Sequence, residues 1–274
     1  MSTIENTGRL PLASAEIHSD RIGMSQTISH TVTMAYRALL RLRRTPEQWI
    51  DVLIAPFLFT FMFAYLFGGA LAGSVSEYLP QLIPAIIAQG VIQASVVTGT
   101  QLREDMDTGV FDRFRSMPIA RIAPLAGALL TDTIRYFVMA ALTMIMGIVI
   151  GWRPGGGIYI AVALALVITT AWAISWIWAL LGVTARTAST VNGVGMMVMM
   201  PIVFLSNAFV PTETLPAWLK TVADANPISH LITALRELMN DGHFGSDVAW
   251  TLVGCAVIVA IFAPLAVRGY MRKT

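Results

Sequence analysis

PGGGIYIAVALALVITTAWAISWIWALLGVTA, residues 154–185, runs for 32 positions without a charged side chain. A helix rises 1.5 Å per residue, so roughly 20 apolar residues cross a hydrocarbon core of about 30 Å. The stretch exceeds that length, and it is too long for a core helix of a soluble domain. Five more runs of the same character lie on either side of it: Val52–Ser76, Tyr78–Leu102, Tyr136–Trp152 with a backward extension over Ile122–Thr131, Thr187–Thr212 and Val248–Val267. All are apolar throughout rather than alternating, which excludes a transmembrane barrel. Composition agrees: 56% of the 274 residues are hydrophobic and 12% charged, against about 25% charged in a soluble domain. The expected fold is an all-α membrane protein with six transmembrane helices, near 50–72, 79–102, 122–151, 158–183, 190–210 and 248–267.

Residues 1–26 carry Glu5, Arg9, Glu16, Asp20 and Arg21 but no apolar core of signal-peptide length. They are expected to be a flexible cytoplasmic tail, leaving 27–274 as one transmembrane domain. Lysine and arginine set the orientation. With the N-terminus inside, fourteen of these residues fall in inner segments, and only Arg153, Lys220 and Arg236 fall outside; Arg135 lies within the third span. Both termini are therefore expected in the cytoplasm of a multi-pass cell-membrane protein. Trp49, Trp152, Trp218 and Trp250 stand near the expected interfaces, where aromatic anchors belong.

Three segments between the spans carry further information. Over 28–45, Ile28, Val32, Ala35, Tyr36, Leu39 and Leu40 share one helical face, and Thr33, Arg37, Arg41 and Arg44 the other. That pattern suits an amphipathic elbow helix on the inner leaflet, although a plain juxtamembrane anchor has the same signature. The inner loop REDMDTGVFDRFRSMPIAR, residues 103–121, places Glu104, Asp105 and Asp107 before Gly109. Phe111 and Phe114 are then interleaved with Arg113 and Arg115 up to Pro118. Aromatic anchors with a polar rim are what a protein-docking helix needs. A solvated positive-inside loop needs arginines only, so the acids favour docking. The outer segment 211–247 offers two short amphipathic helices. Thr214 is the expected cap of the first and Ser229 of the second, with Asn226-Pro227 breaking between them and Asn240-Asp241-Gly242 ending the pair.

Catalytic signatures are missing. The chain has no Gly-x-x-x-x-Gly-Lys-Ser/Thr phosphate loop, no His-Glu-x-x-His and no Gly-x-Ser-x-Gly. The single cysteine, Cys255, allows neither an intrachain disulfide nor a cysteine-based metal site, and the four histidines are scattered near the expected membrane boundaries. No cofactor or nucleic-acid partner is expected. The intramembrane polar candidates are Asp132 and Arg135, three residues apart and able to pair on one helix face. Gln89 and Gln93, with Ser95 and Thr98, are the others; they either bond neighbouring helices or line a path. Met196, Met197, Met199 and Met200 form a cluster read chiefly as packing, with a cargo-facing surface as the alternative. Gly69-x-x-x-Gly73 and Gly147-x-x-x-Gly151 are weak close-packing signals.

Taken together, the layout resembles the transmembrane permeases of ABC-2 type exporters, specifically the daunorubicin/doxorubicin-resistance permease family. Two stretches carry the resemblance: Glu104–Pro118, and the outer run Phe209-Val210-Pro211, Leu215-Pro216, Trp218-Leu219, Asn226-Pro227 and Leu235-Arg236. It implies that the inner loop is a cytoplasmic coupling helix docking on an ATP-binding subunit through Glu104, Asp105, Gly109, Phe111, Arg113, Phe114, Arg115 and Pro118. It also implies that the outer pair is re-entrant before the last span. ATP and magnesium would bind the partner ATPase, a second permease subunit would complete the pathway, and the cargo would be a small hydrophobic or amphipathic compound. A proton- or ion-coupled secondary transporter is the main rival, but it requires an intramembrane relay for which only Asp132 and Arg135 are available.

Overall fold

The computed structural model describes residues 46–108, 123–209 and 216–273. The elbow segment 28–45, the loop positions Gly109, Phe111, Arg113, Phe114, Arg115 and Pro118, and Pro211, Thr214 and Leu215 lie outside the described residues. Within them the chain is all-helical: α1 Pro46–Ala72, α2 Val75–Asp107, α3 Ala123–Ile150, α4 Tyr159–Thr184, α5 Ala188–Phe204, α6 Ala217–Ala225, α7 Pro227–Arg236, a π-turn Glu237–Asp241, and α8 Ser246–Lys273. Four of these, α2, α3, α4 and α8, are long and apolar enough to cross a bilayer. The apolar part of α1, Pro56–Ala72, and the 17-residue α5 are shorter.

α2 is the central helix. It packs against α1, α3, α4, α5 and α7, and buried residues occur all round it from Tyr78 to Leu102. A helix apolar on every side belongs inside a bundle. Its N-terminus is set by Ser74, whose hydroxyl accepts from the Glu77 N–H at 3.3 Å. Its C-terminus runs to Asp107, beyond the end expected at 102, so Glu104 and Asp105 sit in its last helical turns rather than in a loop. Charged residues at a span's end keep the helical hydrogen bonds while their side chains reach water.

A close backbone crossing joins α2 to α4 at Gly99 and Gly182. A Cβ on Gly99 would overlap the Trp178 carbonyl, and one on Gly182 the Gly99 carbonyl. Trp178 Nε1 donates to Ser95 Oγ at 3.1 Å across the same crossing. Of the two spaced-glycine signals, Gly147 does pack closely, against Ile83, while Gly69 faces open space within this chain.

Two further expectations are corrected. α5 ends at Phe204 rather than near 210, because the Ser206 hydroxyl turns back to the Val203 carbonyl at 2.6 Å and the chain bends under α7. α7 is capped by Asn226, whose Oδ1 accepts from the Ile228 N–H at 2.9 Å with Pro227 in the first helical turn. Ser229 lies one turn too late to cap it, and its hydroxyl accepts from the Asn207 N–H instead, at 3.3 Å.

Candidate functional site

The charged pair expected from sequence is present and buried. Asp132 and Arg135 on α3 are 3% and 5% exposed, and Arg135 Nη2 lies 2.6 Å from Asp132 Oδ1. The pair also reaches onto α2. Thr98 donates to the second Asp132 oxygen at 2.5 Å, its hydroxyl lies 3.2 Å from the Tyr136 hydroxyl, and Arg135 Nη2 donates to the Ala94 carbonyl at 3.1 Å. An isolated carboxylate in an apolar interior is costly unless paired and hydrogen-bonded. Both Asp132 oxygens are satisfied here, while Arg135 Nε has no partner. Of the other polar candidates, Gln93 is exposed and Gln89 half-buried, its Oε1 unpartnered. Ser95 and Thr98 join neighbouring helices.

At the end where α2 begins, a second set of contacts answers a defect that sequence dictates. Pro84 lacks an N–H, so the carbonyl four residues earlier, at Pro80, loses its helical donor and the next turn loosens. Asn240 Nδ2 donates to the Pro80 carbonyl at 2.8 Å, and Arg236 Nε to that of Gln81 at 3.1 Å. Arg236 Nη2 also reaches the Asn207 and Ala208 carbonyls at 2.8 and 3.0 Å. Asn226 Nδ2 donates to Ile202, one of α5's orphan C-terminal carbonyls, at 2.7 Å. Trp152, expected as an interface anchor, is instead fully buried and donates to Asn240 Oδ1 at 3.0 Å. Trp218 and Trp250 are exposed, whereas Trp49 has no described side chain. Arg236, Asn226 and Pro227 are thus brought together around the α2 and α5 ends. Pro216 and Trp218 are exposed.

Beside this set Glu237 opens the π-turn. Its Oε2 is buried without a partner and lies against Gly245. Burial first, then the neighbouring Asp247, pushes its carboxyl above the usual glutamate range; His243 opposes that shift and Asp241 adds to it. Asp247 itself lies 2.5 Å from His230. A carboxyl whose folded pKa is raised favours the fold below its ordinary pKa, and this favour is lost as pH rises through the folded value. Glu237→Gln is therefore expected to raise the Tm of the detergent-solubilised protein at neutral pH and to give no gain in acid, where the native carboxyl is already protonated. A thermal melt at both pH values checks this.

At the opposite end of α2, Glu104 is exposed and Asp105 partly so. Arg103 pairs with Asp107 and donates to the Ala185 carbonyl at 3.1 Å, tying the end of α2 to the corner before α5. In the sequence Arg103 reads as one more inner charge, with nothing to mark its reach to Ala185. The methionine cluster divides: Met199 is buried, but Met196, Met197 and Met200 are exposed, so they do not pack inside this chain. α1 likewise exposes Phe57, Leu58, Phe61, Tyr65 and Leu66.

Broad apolar outer faces, a bundle centred on one buried helix and a short helix pair before the last long apolar helix are what a membrane-embedded protein presents. The family model described as ABC-2 type transporter matches residues 29–240. The chain belongs to the ABC-2 type transporter family. Similar ABC-2 permeases include the daunorubicin resistance ABC transporter permease protein DrrB1 of Streptomyces coeruleorubidus, 43% identical over 93% of this chain and 90% of that one. The probable doxorubicin resistance permease DrrC of Mycobacterium tuberculosis is 26% identical over 90% of each chain. The doxorubicin resistance permease DrrB of the same organism is 28% identical over 60% of this chain and 58% of its own. This ABC-2 chain is accordingly a multi-pass permease subunit, and ATP hydrolysis lies on a separate subunit.

Proposed function

We propose that this permease exports a hydrophobic or amphipathic compound, such as a drug, lipid or polyketide, from the cytoplasm or inner leaflet. The observation that carries the proposal is the 43% identity running over 93% of the chain to a daunorubicin resistance permease. A separate ATP-binding subunit holding ATP and magnesium docks on the loop between α2 and α3, and a second permease copy or paralogue completes the pathway. Six spans cross the cell membrane, with α1 and α5 joining the four longer helices. Both termini and the α2–α3 loop lie in the cytoplasm, as the arginine bias requires. An elbow helix precedes α1, and α6 and α7 form a re-entrant pair on the outer side.

The test is co-expression with an ATP-binding subunit encoded beside it. The two chains are expected to co-purify, and Phe111→Asp is expected to weaken their association at least about tenfold, as loss of an aromatic anchor does. Association that survives Phe111→Asp overturns the docking assignment. Flux driven by a proton gradient in permease without its ATPase overturns the exporter.

A further inference from the structure

We propose that the Thr98–Asp132–Arg135–Tyr136 network is a clamp that makes α2 and α3 move as one lever, so that force on the loop joining them reaches the far side of the membrane undivided. The proposal rests on the exporter reading only for where that force arises. Its support is positional. Thr98 stands nine residues before the end of α2 at Asp107, and Asp132 nine residues after Ala123, the first described residue of α3. At 1.5 Å per residue both arms measure about 13 Å. The Thr98–Asp132 and Arg135–Ala94 hydrogen bonds place these residues of the two helices level with each other across the interface.

Its chemistry suits a clamp better than a relay. Asp132 accepts from Thr98 on α2 at 2.5 Å and from Arg135 on its own helix at 2.6 Å. Arg135 reaches back to the Ala94 carbonyl of α2 at 3.1 Å. Hydrogen bonds thus cross the interface in both directions, with the Thr98–Tyr136 hydroxyl pair as a third link, and hydrogen bonds to charged groups are the stronger kind. Beyond the clamp the same two helices touch again at Gly90 with Met139 and at Gly147 with Ile83. A Cβ on either glycine would come within 3.0 and 2.8 Å of these side chains. Three points of close approach along one pair leave little room for sliding, because packed interfaces switch between discrete arrangements rather than deforming continuously.

The experiment uses the complex of this chain with its ATP-binding subunit in proteoliposomes, with Cys255→Ser removing the native thiol. Spin labels go on Val97 of α2 and Ile134 of α3, both exposed. Their separation is expected to stay the same with and without ATP in the native clamp. In Asp132→Leu/Arg135→Met, which replaces the charges by apolar groups, it is expected to shift on ATP. Daunorubicin flux per ATP hydrolysed is expected to fall about tenfold in that variant, within the usual range of a coupling between sites, while the ATPase still co-purifies and hydrolyses. Thr98→Val, which removes the hydroxyl bonded to Asp132 and Tyr136 but leaves the ion pair, shifts both readouts the same way by less. A native separation that changes with ATP overturns the clamp, as does a double variant whose flux per ATP is unchanged. If the wild-type complex hydrolyses ATP but moves no daunorubicin, the cargo assignment fails and the label separations decide the clamp.

Discussion

Arg135→Leu is expected to cost the folded permease about 3–5 kcal/mol, the usual penalty for removing one partner of a buried ion pair. The loss of one contact does not account for that size. Asp132 is 3% exposed, so without Arg135 its charge has only Thr98 as a donor. It must then either remain uncompensated in an apolar interior or take up a proton. Asp132→Leu alone is expected to be nearly as damaging, because Arg135 cannot be deprotonated and keeps only the Ala94 carbonyl and the Tyr136 ring, neither of which carries a countercharge. Asp132→Leu with Arg135→Met removes both charges and fills their space, and its stability is expected within about 1 kcal/mol of the native chain. The coupling in this double-mutant cycle is therefore large and favourable. Denaturant or thermal unfolding in one detergent measures it. A double variant no more stable than either single one shows that the pair contributes through packing rather than charge. The same double variant separates the pair's roles, since it restores stability while removing the clamp.

Much of this is legible in the sequence. Spans can be read from sequence because lipid offers the backbone no hydrogen bonds, so each crossing must be a long apolar helix. Asp132 and Arg135 stood out because charge inside such a run is rare, and their three-residue spacing already placed them on one face. Thr98 stood out as a polar residue able to bond a neighbouring helix, but which helix did not, and the Ala94 carbonyl gave no signal at all. Thr98 and Ala94 become partners through the rotation of α2 against α3, which periodicity does not fix when a helix is apolar on every side. The roles of Asn240 and Arg236 were legible only in principle. Pro84 announces an orphan carbonyl at Pro80, but the residue that answers it lies 160 positions away. Trp152 misled because a tryptophan at a span's end is usually an interfacial anchor, whereas here the π-turn covers it. The methionines misled in the opposite sense: without a membrane or second subunit in view, an exposed apolar face and a packed one have the same composition.

The Gly99–Gly182 crossing gives the second large effect. Gly99→Ala is expected to destabilise the chain by about 3 kcal/mol, at the upper end for overpacking by one methyl group, and Gly99→Leu to leave no monodisperse protein. What the new carbon meets decides the magnitude. At Gly99 it would overlap the Trp178 carbonyl oxygen, with the carbonyl carbon at 2.8 Å and Val191 Cγ1 at 3.0 Å. A side-chain end can rotate away, but a backbone carbonyl in mid-helix moves only with its helix. α4 would have to withdraw, stretching the Trp178–Ser95 hydrogen bond one turn away. Gly182→Ala meets the Gly99 carbonyl in the same way and is expected to match it. The pair should be less than additive, since one separation of the helices relieves both overlaps. Gly69→Ala is the internal control. Nothing lies within 4 Å of its Cβ position, so alanine there gains the helix-interior preference over glycine, about 0.5–1 kcal/mol. Small residues let membrane helices approach closely enough for backbone packing to replace the hydrophobic drive that lipid cannot supply. Measured stabilities that fall at 99 and 182 but not at 69 assign that function to the α2–α4 crossing. Equal stabilities at all three positions place the α2–α4 contact farther apart than this geometry has it.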